Sequence, residues 1–191
     1  LSLAAAALGL TGTGADPTSV TELVAKPLSL FLWAGGFVLA ILIGVGAVIG
    51  DLQPGVNTFW RSRPISPRSW YWTKYGIGLA TLLLAIEVPF LLIPGAYDLS
   101  NTSVLWWPLI WNVTFSFALT ATCLIRQPAH AAILAVGAAG ILYSVIEAAF
   151  GSFTPGEKQA PLAILVPVFL VAFTISTFLG YWAAEHDVAI S

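Results

Sequence analysis

Five long apolar runs, at about 28–50, 75–96, 104–125, 131–151 and 161–182, constrain this chain more than any motif does. About 20 residues rising 1.5 Å each cross the ~30 Å hydrocarbon core of a bilayer. Only 8% of the 191 residues are charged, whereas a soluble domain carries roughly 25%. So few charges cannot build a water-facing surface, and the runs belong in lipid. In lipid each run closes its own backbone hydrogen bonds as a helix. The expected fold is an all-α, polytopic integral membrane bundle with five visible spanning helices.

The formal net charge of -2 carries little meaning, because the charges divide between two faces of a membrane. The few basic residues follow topology, which argues against a nucleic-acid partner. The one cysteine, Cys123, lies inside an apolar run, so neither a disulfide within the chain nor a cysteine-rich metal site is expected. His130 and His186 lack companion ligands, and no metal site is expected. No Ser/His/Asp or Cys/His arrangement points to an enzyme.

The segment 51–75, DLQPGVNTFWRSRPISPRSWYWTKY, carries Arg61, Arg63, Arg68 and Lys74, four of the seven Lys and Arg. Placing it in the cytoplasm puts five basic residues inside, counting Arg126, and two outside, Lys26 and Lys158. That is the orientation the positive-inside rule prefers. The chain lacks methionine and opens on Leu1, so it reads as a piece of a longer one. Within 1–27, residues 1–10 are then either the tail of a preceding helix or a signal remnant, followed by a polar extracytoplasmic linker over 11–26. The membrane domain covers 28–182, and 183–191 form a cytoplasmic tail. Trp70, Tyr71, Trp72 and Tyr75, the pair Trp106–Trp107, and Tyr181–Trp182 fall at run ends, where aromatic rings anchor at the headgroups.

The basic loop spans 51–74. Pro54 and Gly55 break the first run. Residues 56–61 fit a short amphipathic helix with Val56, Phe59 and Trp60 on one face and Asn57 and Arg61 on another. Pro64 and Pro67 force a turn, and Ser66 is placed to cap the next helix. Such a helix either passes force from a cytoplasmic partner into the bundle or anchors on anionic membrane lipids.

GVNTFWRSRPISPRSWYWTKY resembles the first cytoplasmic loop of ABC transporter type 2 permeases. Asp51 and Gly55 match that family's acid and glycine before a short coupling helix. Arg63-Pro64-Ile65-Ser66 matches its proline signature, Trp70 or Trp72 its aromatic position, and Lys74 its lysine at the start of the next helix. The single Asp51 in place of a Glu-rich run, and the wealth of Arg and Trp over 60–72, depart from the pattern.

The resemblance implies a six-helix domain of which this chain supplies the second to the sixth. It implies a pore made with a second permease subunit, identical or not, in the cytoplasmic membrane of a prokaryote. A separate ABC ATP-binding subunit holds ATP and Mg, and this chain binds no cofactor and is not an enzyme. The chain has no Walker A sequence. The docking residues implied are Asn57, Phe59, Trp60, Arg61, Arg63, Pro64, Ser66 and Arg68.

Glu87 lies near the middle of its run, where an acid costs about 2.5–3.5 kcal/mol to insert. It requires a protein, water or proton partner, either lining a path or hydrogen-bonded at a kink made by Pro89. Glu147 stands in the outer half of the fourth run, beside Tyr143 and Ser144. The segment 147–161 is either re-entrant, as the resemblance implies, or a plain loop. Asn112, Thr114, Ser116, Thr120 and Thr122 make the third run polar, fit for a substrate path or for hydrogen bonds between helices. Gly46-x-x-x-Gly50 and Gly35-Gly36 permit close helix approach. The candidate path is thus Glu87, Asn112, Thr114, Ser116 and Glu147. An ion-coupled carrier using Glu87 or Glu147, and a membrane scaffold without transport, are the competing readings.

Overall fold

The computed structural model describes residues 17–52, 56, 66–92, 106–125, 127–150 and 162–186. All regular structure among them is helical. In chain order the elements are α1 (Pro17–Leu52), α2 (Pro67–Leu82), a π-helical segment (Leu83–Glu87), α3 (Val88–Leu92), α4 (Trp106–Ile125), α5 (Pro128–Phe150) and α6 (Leu162–His186). Five stretches are long and apolar enough to cross a membrane: Ala34–Leu52, Pro67–Phe90, Trp107–Ile125, Pro128–Ala149 and Val166–His186. By length and composition the chain is a helical membrane protein.

Two helices start earlier than the apolar runs indicate. α1 begins at Pro17, within the segment read as a linker, because proline is well suited to a first helical turn. α2 begins at Pro67, so 67–74 belong to a helix rather than to the loop. Ser66 sets this start: its hydroxyl accepts from the Ser69 backbone N–H at 3.1 Å, and Pro67 follows in the first turn. A capped amide and a proline with no N–H to lose make a strong start signal.

Where a kink is expected at Pro89, the structure has a π segment just before it. Proline has no backbone N–H and its ring crowds the carbonyl four residues back, here Ala85. The chain answers by widening the preceding turn. The Val88 N–H bonds the Leu83 carbonyl, five residues back, and the span continues through α3.

α4 occupies the middle of the bundle, against α1, α5 and α6, while α2 packs on α1 and α6. Burial agrees: 61% of the α4 window is inside, against 17–33% for the other spans. The α1–α4 seam is built on Gly36, Ala40, Gly44 and Val48, all buried and spaced four apart on one face. The Trp111 indole lies on Gly36, and the Phe115 carbonyl and Ala118 Cβ lie on Gly44. Gly35, Gly46 and Gly50 have nothing within 4 Å of where a Cβ would sit. The Gly46-x-x-x-Gly50 pattern therefore does not make this seam; a pitch through Gly36 and Gly44 does, because it is the one that faces α4.

Candidate functional site

Three features carry chemistry. The first joins the ends of α1 and α2. Asp51 Oδ2 accepts from the Lys74 ammonium at 2.8 Å and from the Trp70 indole N–H at 2.8 Å. The acid and the lysine that bracket the basic loop in sequence thus meet in space. Asp51 is 17% exposed and Lys74 32%. The pair sits partly out of water, where attraction is stronger than at an open surface.

Of the loop candidates, Asn57, Phe59, Trp60, Arg61, Arg63 and Pro64 lie outside the described residues. Ser66 is spent on capping α2. Arg68 is exposed in the first turn of α2.

The second feature is a seam of hydroxyls among α2, α4 and α6. Ser116 Oγ lies 2.7 Å from Ser176 Oγ and 3.0 Å from Thr177 Oγ1. The Tyr75 hydroxyl is 2.9 Å from Thr177 Oγ1, and the Tyr71 hydroxyl donates to the Thr177 carbonyl at 2.9 Å. Thr120 Oγ1 donates to the Ser176 carbonyl at 2.7 Å. Gly180 makes the close approach possible: a Cβ there would stand 2.7 Å from Thr120 Oγ1 and 2.7 Å from the Tyr71 hydroxyl.

This seam changes the reading of two groups of residues. Tyr71 and Tyr75 are buried, at 0% and 5% exposed, while Trp72 is 46% exposed. Four residues apart, the tyrosines share the inner face of α2, so of that cluster Trp72 keeps an anchor's exposure. The polar residues of α4 do not form one lining. Asn112, Ser116 and Thr120 share a face at intervals of four. Thr122 instead donates to the Ala118 carbonyl of its own helix at 2.7 Å. Thr114 is fully buried, and its hydroxyl has no hydrogen-bond partner among the described residues. Ser116 and Thr120 serve as interhelical hydrogen-bond donors and acceptors.

The third feature is Glu87, the last residue of the π segment, 7% exposed. Asn112 Nδ2 donates to Glu87 Oε1 at 2.6 Å and to the Pro108 carbonyl at 2.8 Å. Single π turns occur often at functional sites. Glu87 and Asn112 are brought together, and Ser116 lies one turn beyond Asn112 on the same face of α4. Glu147 is exposed on α5 and shares no hydrogen bond with them among the described residues. α5 continues as a helix through Glu147 to Phe150; the rest of the segment read as re-entrant lies outside the described residues.

Sequence reasoning did not single out Ser176, Thr177 or Gly180, nor the inward role of Tyr71 and Tyr75. The available signal was a pair of tyrosines four apart and a Ser-Thr-x-x-Gly run inside an apolar span. Comparison with protein-family models, with curated proteins and with solved structures finds no match.

Proposed function

We propose that this chain is the membrane-spanning permease subunit of an ATP-driven ABC exporter in the cytoplasmic membrane of a prokaryote. The observation that supports this reading is the clamp of Asp51 on Lys74 and Trp70. It ties the two helices that flank the basic loop. A push on the loop then moves α1 and α2 together instead of being absorbed by slack between them. α1 leans on α4 and α2 on α6, so the displacement reaches most of the bundle.

In this reading a separate ATP-binding subunit, holding ATP and Mg, docks on 57–68. Phe59 and Trp60 pack on it, and Arg61 and Arg63 pair with its acids. A second permease subunit completes the pore. The chain supplies no ATP site of its own.

The test is co-purification of the full-length protein from native membranes in mild detergent, read by mass spectrometry, beside an Arg61→Glu/Arg63→Glu variant. An ATP-binding subunit recovered with the wild type and lost with the variant supports the reading. No ATPase in either sample, with the protein folded and abundant, refutes it and moves an ion-coupled carrier centred on Glu87 to the front.

A further inference from the structure

We propose that Glu87 and Asn112 form a recognition site for the ammonium group of a lipid-soluble amine, entered from the bilayer. The starting point is a buried acid without a cationic partner. Glu87 is buried within a spanning segment, and the partner that the structure gives it is a neutral amide. Among the residues whose side chains are described, the basic ones are engaged or lie elsewhere. Lys74 pairs with Asp51. Arg68 is exposed at the start of α2, and His130 and His186 are exposed near the ends of α5 and α6. A buried acid whose partner is a neutral amide has no counter-charge beside it, and an incoming cation would supply one to its ionised form.

The geometry suits an incoming cation. Both N–H groups of Asn112 are committed, one to Glu87 and one to the Pro108 carbonyl of its own helix. The amide is therefore fixed in one orientation. Glu87 Oε2 and Asn112 Oδ1 carry no hydrogen bond among the described residues, which leaves two acceptors for an N–H donor. Two oxygens fall well short of the 6–8 that a calcium ion takes, but they match a primary ammonium with three donors.

The surroundings select an organic cation. Phe90, three residues after Glu87 on the same span, meets Trp111 edge to face with centroids 5.1 Å apart. Aromatic faces attract organic ammonium groups. On the same segment Leu84 is 71% exposed and Val88 41%. An apolar tail can lie along these two side chains in the lipid while its ammonium reaches Glu87. The inference rests on the permease reading for what is moved, but binding itself needs no ATPase.

The test uses the full-length protein in phosphatidylcholine nanodiscs, titrated calorimetrically with dodecylamine against empty discs, with dodecanol as the uncharged probe. The expected result is saturable binding of dodecylamine at one site per chain, absent for dodecanol. Glu87→Gln should weaken it at least tenfold while Glu185→Gln, at an exposed acid near the end of α6, leaves it unchanged. Equal binding of the two probes overturns the proposal, as does full binding to a folded Glu87→Gln variant. Should that variant fail to fold, Phe90→Leu decides, because it keeps the carboxylate and removes the aromatic face. Binding weakened several-fold supports the site, and unchanged binding refutes it. A positive result in a protein that recruits no ATPase would keep the amine site and discard the exporter.

Discussion

Gly44→Ala and Gly46→Ala place the same methyl group on the same helix, two residues apart, with opposite consequences. At Gly44 the new Cβ would stand 2.7 Å from the Phe115 carbonyl oxygen and 2.7 Å from Ala118 Cβ. Ordinary contact begins near 3.4 Å, so the deficit is 3.4 − 2.7 = 0.7 Å. The Phe115 oxygen is backbone inside α4 and cannot swing aside. α1 and α4 must therefore separate along the seam that Gly36, Ala40, Gly44 and Val48 build. Overpacking of this kind costs about 1–3 kcal/mol, and a rigid backbone neighbour puts Gly44 near the top of that range. At Gly46 nothing lies within 4 Å. Any gain in helix propensity, up to about 1 kcal/mol in water, is common to both variants and cancels in their difference. Gly44→Ala is thus expected to be about 2–3 kcal/mol less stable than Gly46→Ala. A 2 kcal/mol difference is roughly thirtyfold in the folding equilibrium.

The assay is dodecyl-sulfate titration in mixed micelles, followed by maleimide labelling of Cys123. That cysteine is the one in the sequence and is buried on α4, so its labelling reports opening of the central helix. A Gly44→Ala midpoint within about 0.5 kcal/mol of Gly46→Ala, the scatter of an ordinary surface substitution, would refute the packing of α1 on α4 described here.

Ser66→Ala removes the hydroxyl that holds the Ser69 amide and should cost about 1 kcal/mol, seen as a lower midpoint in the same titration; Ser66→Asp should restore it. Asn112→Leu strips the neutral partner from a buried carboxylate, and more than about 1 kcal/mol should be lost. Pairing it with Glu87→Leu should recover most of that loss, a double-mutant cycle that fails if the two residues do not touch. Tyr75→Phe deletes one hydroxyl from the seam while Ser116 still reaches Thr177. The loss should be modest, about 0.6 kcal/mol, and a loss several times larger would mean that Tyr75 anchors the seam alone.

Much of the architecture was legible before any coordinates. Runs of about 20 apolar residues have few options in a bilayer, because lipid offers no hydrogen bonds and helices satisfy their own. Ser66-Pro67 announces a helix start through chemistry confined to one turn. Glu87 beside Pro89 flags a break in the helix and an acid that needs a partner, and there the structure has a π segment and a buried Glu87 bonded to Asn112. Helix ends away from such signals were less legible: α1 extends back to Pro17 because a polar stretch can be helical outside lipid as readily as an apolar one inside it.

Rotation of each helix about its axis was not legible, and rotation decides the site. The same tyrosines serve as interfacial anchors or as inward hydrogen-bond donors according to which face of α2 meets α6. Gly44 and Gly46 look alike in sequence, and only the position of α4 makes one a contact and the other open. In water a hydrophobic stripe betrays the buried face; in lipid both faces are apolar, so the pattern that would orient a helix is largely erased. Sequence alone determined that this is a helical membrane protein, with a basic loop between its first two apolar runs and an acid deep in the second. The tertiary structure decided that Asp51 closes on Lys74, that Glu87 meets Asn112, and that Ser116, Thr120, Ser176 and Thr177 face one another. Those pairings join residues up to 61 positions apart, and helix packing, not local preference, sets which of them meet.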